Sequence, residues 1–228
     1  MSPLIISHRG KVDLNSSEND LVGTKEAIQL GVDMVEFDVR KTRDDVLICH
    51  HDTKVKGVSV SNLSYNEIKY YNSNLCKLED MLSLCKGKVG VNLEIKEEGF
   101  ETTIVDMLLS SFSYREIYVT SFLPSVVRRV KSLDSEIVSG LLLGDAMTYQ
   151  VFFRIFKEAI SMKDFYDSKA DFISPYYKIY EMGLIRNFQK KGIPIQLWTV
   201  NEVNLLKDLI NSNIQSVVTD VPIEILGD

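Results

Sequence analysis

The sequence has no uninterrupted apolar run of about 18 residues, the length that a helix needs to cross a bilayer. Its first residues, MSPLIISHRG, also lack the basic segment and the long apolar segment of a secretory signal peptide. Only three cysteines are present, and their spacing fits neither a disulfide framework nor a CxxC metal site. We therefore expect a cytoplasmic protein that does not insert stably into a membrane.

Basic residues are also fewer than acidic ones: the sequence has 26 lysines and arginines and 32 aspartates and glutamates, for a net charge of −6. This balance disfavours nucleic acids and anionic membranes as partners, although it allows a local basic pocket for a phosphate. The chain has no internal repeat, no low-complexity tract and no Pro/Gly-rich linker. We therefore expect residues 1–228 to form one domain, within the size range of a single barrel.

The sequence does contain a regular alternation of short apolar runs with longer segments in which apolar residues recur at helical spacing. The runs are LIIS (4–7), MVEFDV (34–39), VLIC (46–49), GVNLEI (90–95), EIYVTSF (116–122), EIVSGLLL (136–143), DFISPYY (171–177), PIQLWTV (194–200) and SVVTD (216–220). If MVEFDV and VLIC form one strand with a kink or a hairpin, the chain has about eight strand–helix units, the number in a TIM (β/α)8 barrel. A doubly wound open sheet is the alternative, but no G-x-G-x-x-G motif follows the first run.

Ionisable side chains gather where these runs end. In a (β/α)8 barrel, the chemistry takes place at the C-terminal ends of the strands. The polar and aromatic residues at or near those ends are His8, Arg9, Glu36, Asp38, His51, Glu94, Lys96, Ser121, Trp198 and Asp220. This pattern predicts a catalytic mouth at one end of the barrel.

Three of these residues are carboxylates that strand geometry directs to one face. Glu36 and Asp38 are two residues apart, so their side chains point the same way, and Glu94 lies on the next strand. Without a partner, converging carboxylates repel one another and raise one another's pKa. A divalent cation removes that conflict, and an all-oxygen ligand set favours Mg2+ or Ca2+ over Zn2+. The alternative is that the acids form structural ion pairs with Arg40 and Lys96.

The chain contains only three histidines, and two of them are adjacent. Neighbouring residues on a strand point to opposite faces, so His50 and His51 cannot both enter the mouth while the strand stays regular. The third, His8, precedes Arg9 and Gly10, a combination that suggests an anion pocket beside a sharp turn. Three histidines without an H-x-H pair cannot supply the ligand set of a zinc amidohydrolase.

Several motifs resemble the glycerophosphodiester phosphodiesterase family over nearly the whole chain. They are SHRG (7–10), SEN (17–19), GVDMVEFDV (31–39), HHD (50–52), LEDML (78–82), LEIK (93–96), TSF (120–122), LWTVN (197–201) and VTDVP (218–222). The resemblance implies a TIM barrel that hydrolyses a small glycerophosphodiester to sn-glycerol 3-phosphate and an alcohol, as part of lipid and glycerol metabolism. It also implies a bound divalent metal, Mg2+ or Ca2+.

The resemblance assigns the reaction chemistry to five residues. Glu36, Asp38 and Glu94 would be the metal ligands. His8 and His51 would be the acid and the base, and the sequence does not decide which histidine acts in which step. The nucleophile would be water or a hydroxyl of the substrate's own glycerol, through a cyclic phosphate.

Four further residues would bind or support the substrate. Arg9 and Lys96 would hold the phosphate, and Glu18 would support these groups, although a helix-capping turn is an alternative role for Glu18. Trp198 would wall the pocket, with burial in the core as its alternative. Oligomeric state, the preferred metal and the preferred alcohol stay open.

The sequence departs from the family pattern in three places. Asp44-Asp45 replaces an Asp-Gly turn, so the hairpin before HHD is expected to be built differently. Asp20 replaces a threonine after the SEN motif, and residues 53–74 are short enough that we expect a small or absent lid. These departures concern substrate preference. They leave open a lysophospholipase D-like or cyclising phosphodiesterase, and a barrel that only binds.

Overall fold

In the computed structural model, residues 2–144 and 149–227 are described, with side chains from residue 152 onward in the second range. The core is a ring of eight parallel strands. They are β1 (Leu4–Ser7), β2 (Met34–Lys41), β3 (Gly90–Ile95), β4 (Ile117–Ser121), β5 (Val138–Leu143), β6 (Phe172–Pro175), β7 (Gln196–Leu197) and β8 (Ser216–Thr219).

Each strand pairs with its neighbours in the order β7-β8-β1-β2-β3-β4-β5-β6. The ring is completed between β6 and β7 by two isolated parallel bridges, Ile173 with Ile195 and Tyr176 with Trp198. The prediction of a single TIM barrel is therefore confirmed, and the open-sheet alternative is wrong. No helix in the described part of the chain is both long and apolar enough to span a membrane.

Helices connect the strands and cover the outside of the barrel. They are α1 (Leu21–Leu30), α2 (Tyr65–Tyr71), α3 (Leu78–Cys85), α4 (Glu101–Leu109), α5 (Pro124–Leu133), α6 (Tyr149–Ser161), α7 (Lys163–Ser168), α8 (Tyr177–Glu181), α9 (Arg186–Lys190), α10 (Val203–Ile210) and α11 (Ile223–Leu226). Residues 179–192 have the apolar spacing of one amphipathic helix, but the structure divides them between two short helices, α8 and α9. Gly183 separates them with a φ of 68°, outside the range of a right-handed helix.

The apolar runs MVEFDV and VLIC form a hairpin. Residues Leu47–Cys49 pair antiparallel with the C-terminal half of β2 and carry the chain to His51 at the mouth. Asp45 in the turn has a φ of 60°, the left-handed conformation that glycine adopts most easily. Asp45 therefore takes this conformation without a glycine at the turn, and the expectation of a differently built hairpin stays a prediction.

The segment between this hairpin and α3 is small. It contains a hairpin of two short strands (Lys54–Val55 with Val58–Ser59), a 3-10 turn (Val60–Asn62) and α2. The lid is therefore short, as the sequence predicts. The other departure, Asp20, has a structural explanation. Its side chain accepts a hydrogen bond from Gly23 N and caps the N-terminus of α1.

Most of the apolar core lies between the barrel and the helices. The barrel interior contains a smaller cluster of Ile6, Met34 and Val218 at its centre. In most TIM barrels, branched apolar side chains fill such an interior. Here the inward positions above that cluster carry buried Glu36 and Asp38 instead, so the fold concentrates its polar residues at the C-terminal end of the barrel.

Candidate active site

The turn after β1 places the first histidine. His8–Gly10 forms a 3-10 turn in which Arg9 has a φ of 55° and Gly10 a φ of 73°. A Cβ atom at Gly10 would lie 2.4 Å from Thr24 Oγ1, so only glycine fits. The turn leaves Arg9 N free to donate to Glu36 Oε2 at 3.0 Å and brings His8 Nε2 to 3.9 Å from the same oxygen.

The other side of the His8 ring is held by Asp220, just beyond the end of β8. His8 Nδ1 lies 2.8 Å from Asp220 Oδ1. Asn201 fixes this carboxylate by donating from Nδ2 to Asp220 Oδ2 at 2.6 Å and accepting from Asp220 N at 2.9 Å. Although burial opposes it, the contacts with His8 and Asn201 lower the pKa of Asp220 to about 2. The ionised carboxylate selects the tautomer in which Nδ1 carries a proton and Nε2 faces the mouth.

Glu36, Asp38 and Glu94 lie together, as their spacing predicts. Each offers an oxygen, and these three atoms lie within 4.8 Å of one another. Burial, Asp38 and Glu94 together raise the pKa of Glu36 well above its ordinary value. Burial also raises the pKa of Glu94 to about 7, against the opposing charge of Lys96. Burial and the mutual repulsion of these carboxylates therefore both favour the neutral forms of Glu36 and Glu94.

Asp38 is the most tightly held of the three. Lys96 Nζ lies 2.8 Å from Asp38 Oδ1, and Arg9 Nε lies 3.2 Å from Asp38 Oδ2. Asn19 donates from Nδ2 to Asp38 Oδ2 at 2.9 Å and accepts from Asp38 N at 3.0 Å. Burial raises the pKa of Asp38, but the charges of Lys96 and Arg9 outweigh it and hold that pKa well below its usual range.

Lys96 forms the ion pairs with the acids that the sequence allows as an alternative to metal binding, whereas Arg40 does not. Lys96 also contacts Glu94, with Nζ 2.6 Å from Oε1, and Arg9 is paired with Glu18 at 2.9 Å. Arg40, considered as an alternative partner for the acids, instead donates to Glu97 Oε1 at 2.6 Å. Its Nε donates to the backbone oxygen of His51 at 2.9 Å. Arg40 therefore anchors the segment that carries the second histidine.

His51 and His50 have different surroundings. The His51 side chain is 39% exposed at the mouth, and its Nδ1 lies 2.9 Å from Asp52 Oδ1. Burial lowers the pKa of His51, Asp38 opposes that effect, and Lys96 adds to it. His50 Nε2 is buried without a hydrogen-bond partner among the described residues, and burial lowers the pKa of His50 too. Of the two adjacent histidines, His51 has the ring whose Nδ1 is held by Asp52, whereas His50 has a ring nitrogen that is buried without a partner among the described residues.

Trp198 borders the same space from the opposite side of the barrel. Its indole Nε1 donates to Ser174 O at 2.8 Å, and its ring centroid lies 5.4 Å from that of Phe122. The ring is partly exposed, so Trp198 walls the site instead of being enclosed in the core. A small cavity below it is lined by His8, Glu36, Asn92, Glu94, Thr120, Leu142, Gln196, Trp198 and Val218.

The structure thus brings to one end of the barrel the nine residues to which the family resemblance assigns a role. The supporting residues Asp220, Asn201, Asn19 and Arg40 had no assigned role in the sequence, or only a general one. A signal was available for Asp220 and Asn201, because both lie directly after apolar runs. Nothing in the local sequence connects Arg40 with the backbone of His51.

Both the sequence and the fold of this chain are similar to those of known proteins. A model of the glycerophosphoryl diester phosphodiesterase family matches residues 8–224. The chain is 25% identical over 244 aligned positions to a glycerophosphodiester phosphodiesterase of Caldanaerobacter subterraneus subsp. tengcongensis, covering 97% of this chain and 96% of that protein. A lysophospholipase D of Mus musculus is 35% identical over 104 positions, covering 42% of this chain and 32% of that protein.

One solved structure has a ligand as well as the same fold. It is a phosphodiesterase of Oleispira antarctica in complex with the product sn-glycerol-3-phosphate, with a TM-score of 0.77 and 20% identity. The alignment covers 99% of this chain and 96% of that one. At that identity, the likeness establishes the fold of the barrel.

Proposed function

Because this chain belongs to the glycerophosphoryl diester phosphodiesterase family, a family of phosphoric diester hydrolases, we propose that it hydrolyses small glycerophosphodiesters to sn-glycerol 3-phosphate and an alcohol. The observation that carries the proposal is the cluster of three carboxylates within 4.8 Å, beside His8 and inside the matched region. The product bound to the Oleispira antarctica relative supports the same substrate class. The three cysteines, which are buried and form no disulfide, support a cytoplasmic location.

We propose that Glu36, Asp38 and Glu94 bind a divalent cation. Three carboxylates whose oxygens lie within 4.8 Å of one another are a donor set that a cation can share, and the cluster is supported on this chain's side by Arg9 and Lys96. The donors are all oxygen atoms, which suits Mg2+ and Ca2+. When bound, such an ion supplies positive charge that polarises phosphoryl oxygens and stabilises the negative charge of the transition state.

The remaining steps are assigned to side chains of this chain. Arg9 and Lys96 present cationic groups beside the acids and would hold the phosphate oxygens, with Glu18 keeping the Arg9 guanidinium in place. One of His8 and His51 removes a proton from the attacking hydroxyl, and the other protonates the leaving alcohol oxygen. Both water and a neighbouring glycerol hydroxyl can attack with this arrangement.

An activity assay tests the proposal directly. The purified protein is given glycerophosphocholine and glycerophosphoethanolamine, each with Mg2+, Ca2+ or EDTA, while sn-glycerol 3-phosphate is measured. We expect product with at least one of the two ions and a loss of product with EDTA. Release of no product from either diester under any condition would contradict the proposed function.

A second candidate is lysophospholipase D-like activity on the same barrel. The observation in its favour is the 35% identity to the mouse lysophospholipase D over 104 positions. The same assay decides between the two when lysophosphatidylcholine is included and choline release is measured. Faster turnover of lysophosphatidylcholine than of glycerophosphocholine would favour this candidate.

Cation binding should also be visible as thermal stabilisation. A ligand at about 100 times its Kd stabilises the native state by about 2.7 kcal/mol, which raises the Tm of a protein of this size by roughly 5–10 °C. We expect such a shift with Mg2+ or Ca2+ for the wild type and little or none for Glu36→Gln. Because burial already favours the neutral form of Glu36, the variant should keep nearly the wild-type Tm without metal.

The matched control is Glu158→Gln. Glu158 is also a buried glutamate, but it accepts hydrogen bonds from Asp164 N and Phe165 N at the start of α7, away from the acidic cluster. This variant should have a lower Tm without metal and keep the full cation-induced shift. An equal shift in wild type and Glu36→Gln would exclude Glu36 as a ligand.

A further inference from the structure

Asn92 carries an unused hydrogen-bond donor directly below the acidic cluster. It lies two residues before Glu94 on β3, so its side chain also points into the barrel. The residue is fully buried, and its Oδ1 accepts from Thr120 Oγ1 at 3.4 Å. Its Nδ2 has no hydrogen-bond partner among the described residues. Buried amide donors without partners are rare and are retained where something else pairs with them.

The unpaired donor borders the catalytic space. Asn92 lines the cavity that also contains His8, Glu36, Glu94 and Trp198. Two of these lining residues, His8 and Trp198, are partly exposed at the mouth. The Asn92 amide therefore forms part of the floor of the active site.

The chemistry of this floor selects one kind of group. A phosphate or carboxylate would find no lysine or arginine among the residues that line the cavity, and a cation would face the positive end of the Asn92 N–H dipole. An alkyl group would leave the donor unpaired. A hydroxyl can accept from Asn92 Nδ2 and donate its own proton to a carboxylate or to the side-chain oxygen of Gln196, which lies on the cavity wall.

We propose that Asn92 binds the terminal hydroxyl of the substrate's glycerol group and thereby selects glycerol esters over alkyl esters. The inference rests on the proposed phosphodiesterase activity. The hydroxyl next to the phosphoester carbon has to stay near the histidines and the phosphate. The terminal hydroxyl is one carbon further from the phosphorus and can reach the floor.

Two substrates test the assignment. Glycerophosphocholine has the terminal hydroxyl, whereas 2-hydroxypropyl phosphocholine lacks only that group and keeps the hydroxyl that could attack phosphorus. A site built to bond a hydroxyl discriminates strongly against the analogue without it. In Asn92→Leu, which keeps the branching of the side chain but loses the donor, we expect kcat/KM for glycerophosphocholine to fall by about 100-fold. For the analogue, the change should be within about threefold, since it makes no hydrogen bond to Asn92 that the variant could lose.

Two further variants control for effects on folding. Asn92→Ser, which is smaller and removes the same donor, should show the same substrate-dependent loss. Ser139→Ala removes a buried hydroxyl on β5 that bonds to Ile137 O, and it should leave the ratio of the two substrates unchanged.

The outcomes separate the inference from the proposed function. Equal losses on both substrates in both Asn92 variants would mean that Asn92 holds only the fold or a buried water, and the inference would be overturned. Unchanged kcat/KM on both substrates would overturn it as well. If the wild type hydrolyses neither substrate with any cation, the proposed function fails first and the inference fails with it.

Discussion

Replacing His51 with alanine is expected to lower kcat for glycerophosphocholine by about two orders of magnitude or more, the usual cost of removing an acid–base group. The same change at His50 should lower kcat by less than about threefold, since the proposed mechanism gives His50 no part in proton transfer. The reason is the difference in surroundings: His51 is 39% exposed at the mouth, and its pKa responds to Asp38, Lys96 and Arg9. Steady-state kinetics of the two variants at saturating metal measure the effect.

The pair of variants forms its own control, because the two residues are adjacent and chemically identical. Losing His50 removes a half-buried ring and should lower Tm more than losing His51, which is 39% exposed, does. If both variants lose activity equally while both keep the wild-type Tm, the assignment of His51 alone is wrong. A loss at His50 that follows its Tm would instead be an effect of folding.

A substrate with a good leaving group sharpens the assignment. If His51 protonates the leaving alcohol, a glycerophosphodiester of p-nitrophenol should be much less sensitive to His51→Ala, because its leaving group needs no proton. If His51 acts as the base, both substrates should lose activity equally. This comparison decides whether His51 is the acid or the base, which the sequence leaves open.

Much of this architecture follows from simple periodicities. The alternation of apolar runs with helical segments predicts the barrel, and the period of two along a strand places Glu36 and Asp38 on one face. The rule that barrel chemistry lies at the C-terminal ends of strands adds Glu94 and His8. These inferences use only local geometry and the order of strands, which are properties that a sequence records directly.

The contacts that hold the site together are of another kind. Asn19 with Asp38, Arg40 with the His51 backbone and Asp220 with His8 join residues that are 19, 11 and 212 positions apart. Each depends on where a loop lies relative to a strand or to another loop, which no local pattern specifies. The unpaired donor of Asn92 is visible only once the whole barrel interior is assembled.

Replacing Asp220 is expected to cause the second large loss of kcat. We expect Asp220→Asn to lower kcat by about 100-fold or more with a small change in KM, since an uncharged amide neither selects the His8 tautomer nor stabilises the imidazolium form. The hydrogen bond between His8 Nδ1 and Asp220 Oδ1 at 2.8 Å is the contact that changes. Asp220 has no contact with the acidic cluster among those the structure describes, so the cation-induced rise in Tm should persist in the variant.

A double-mutant cycle shows whether Asp220 acts through His8. Adding Asp220→Asn to His8→Ala should cost little further activity, because the residue it positions is already absent. Asp171→Asn is the matched control: Asp171 forms an ion pair with Lys131 just before β6, at the opposite end of the barrel, and should leave kcat unchanged. Additive losses in the double variant would assign Asp220 a role independent of His8. An Asp220→Asn enzyme within threefold of wild type would show that the Nδ1 contact is dispensable, and His8 would then have to reach its working tautomer without help from the end of β8.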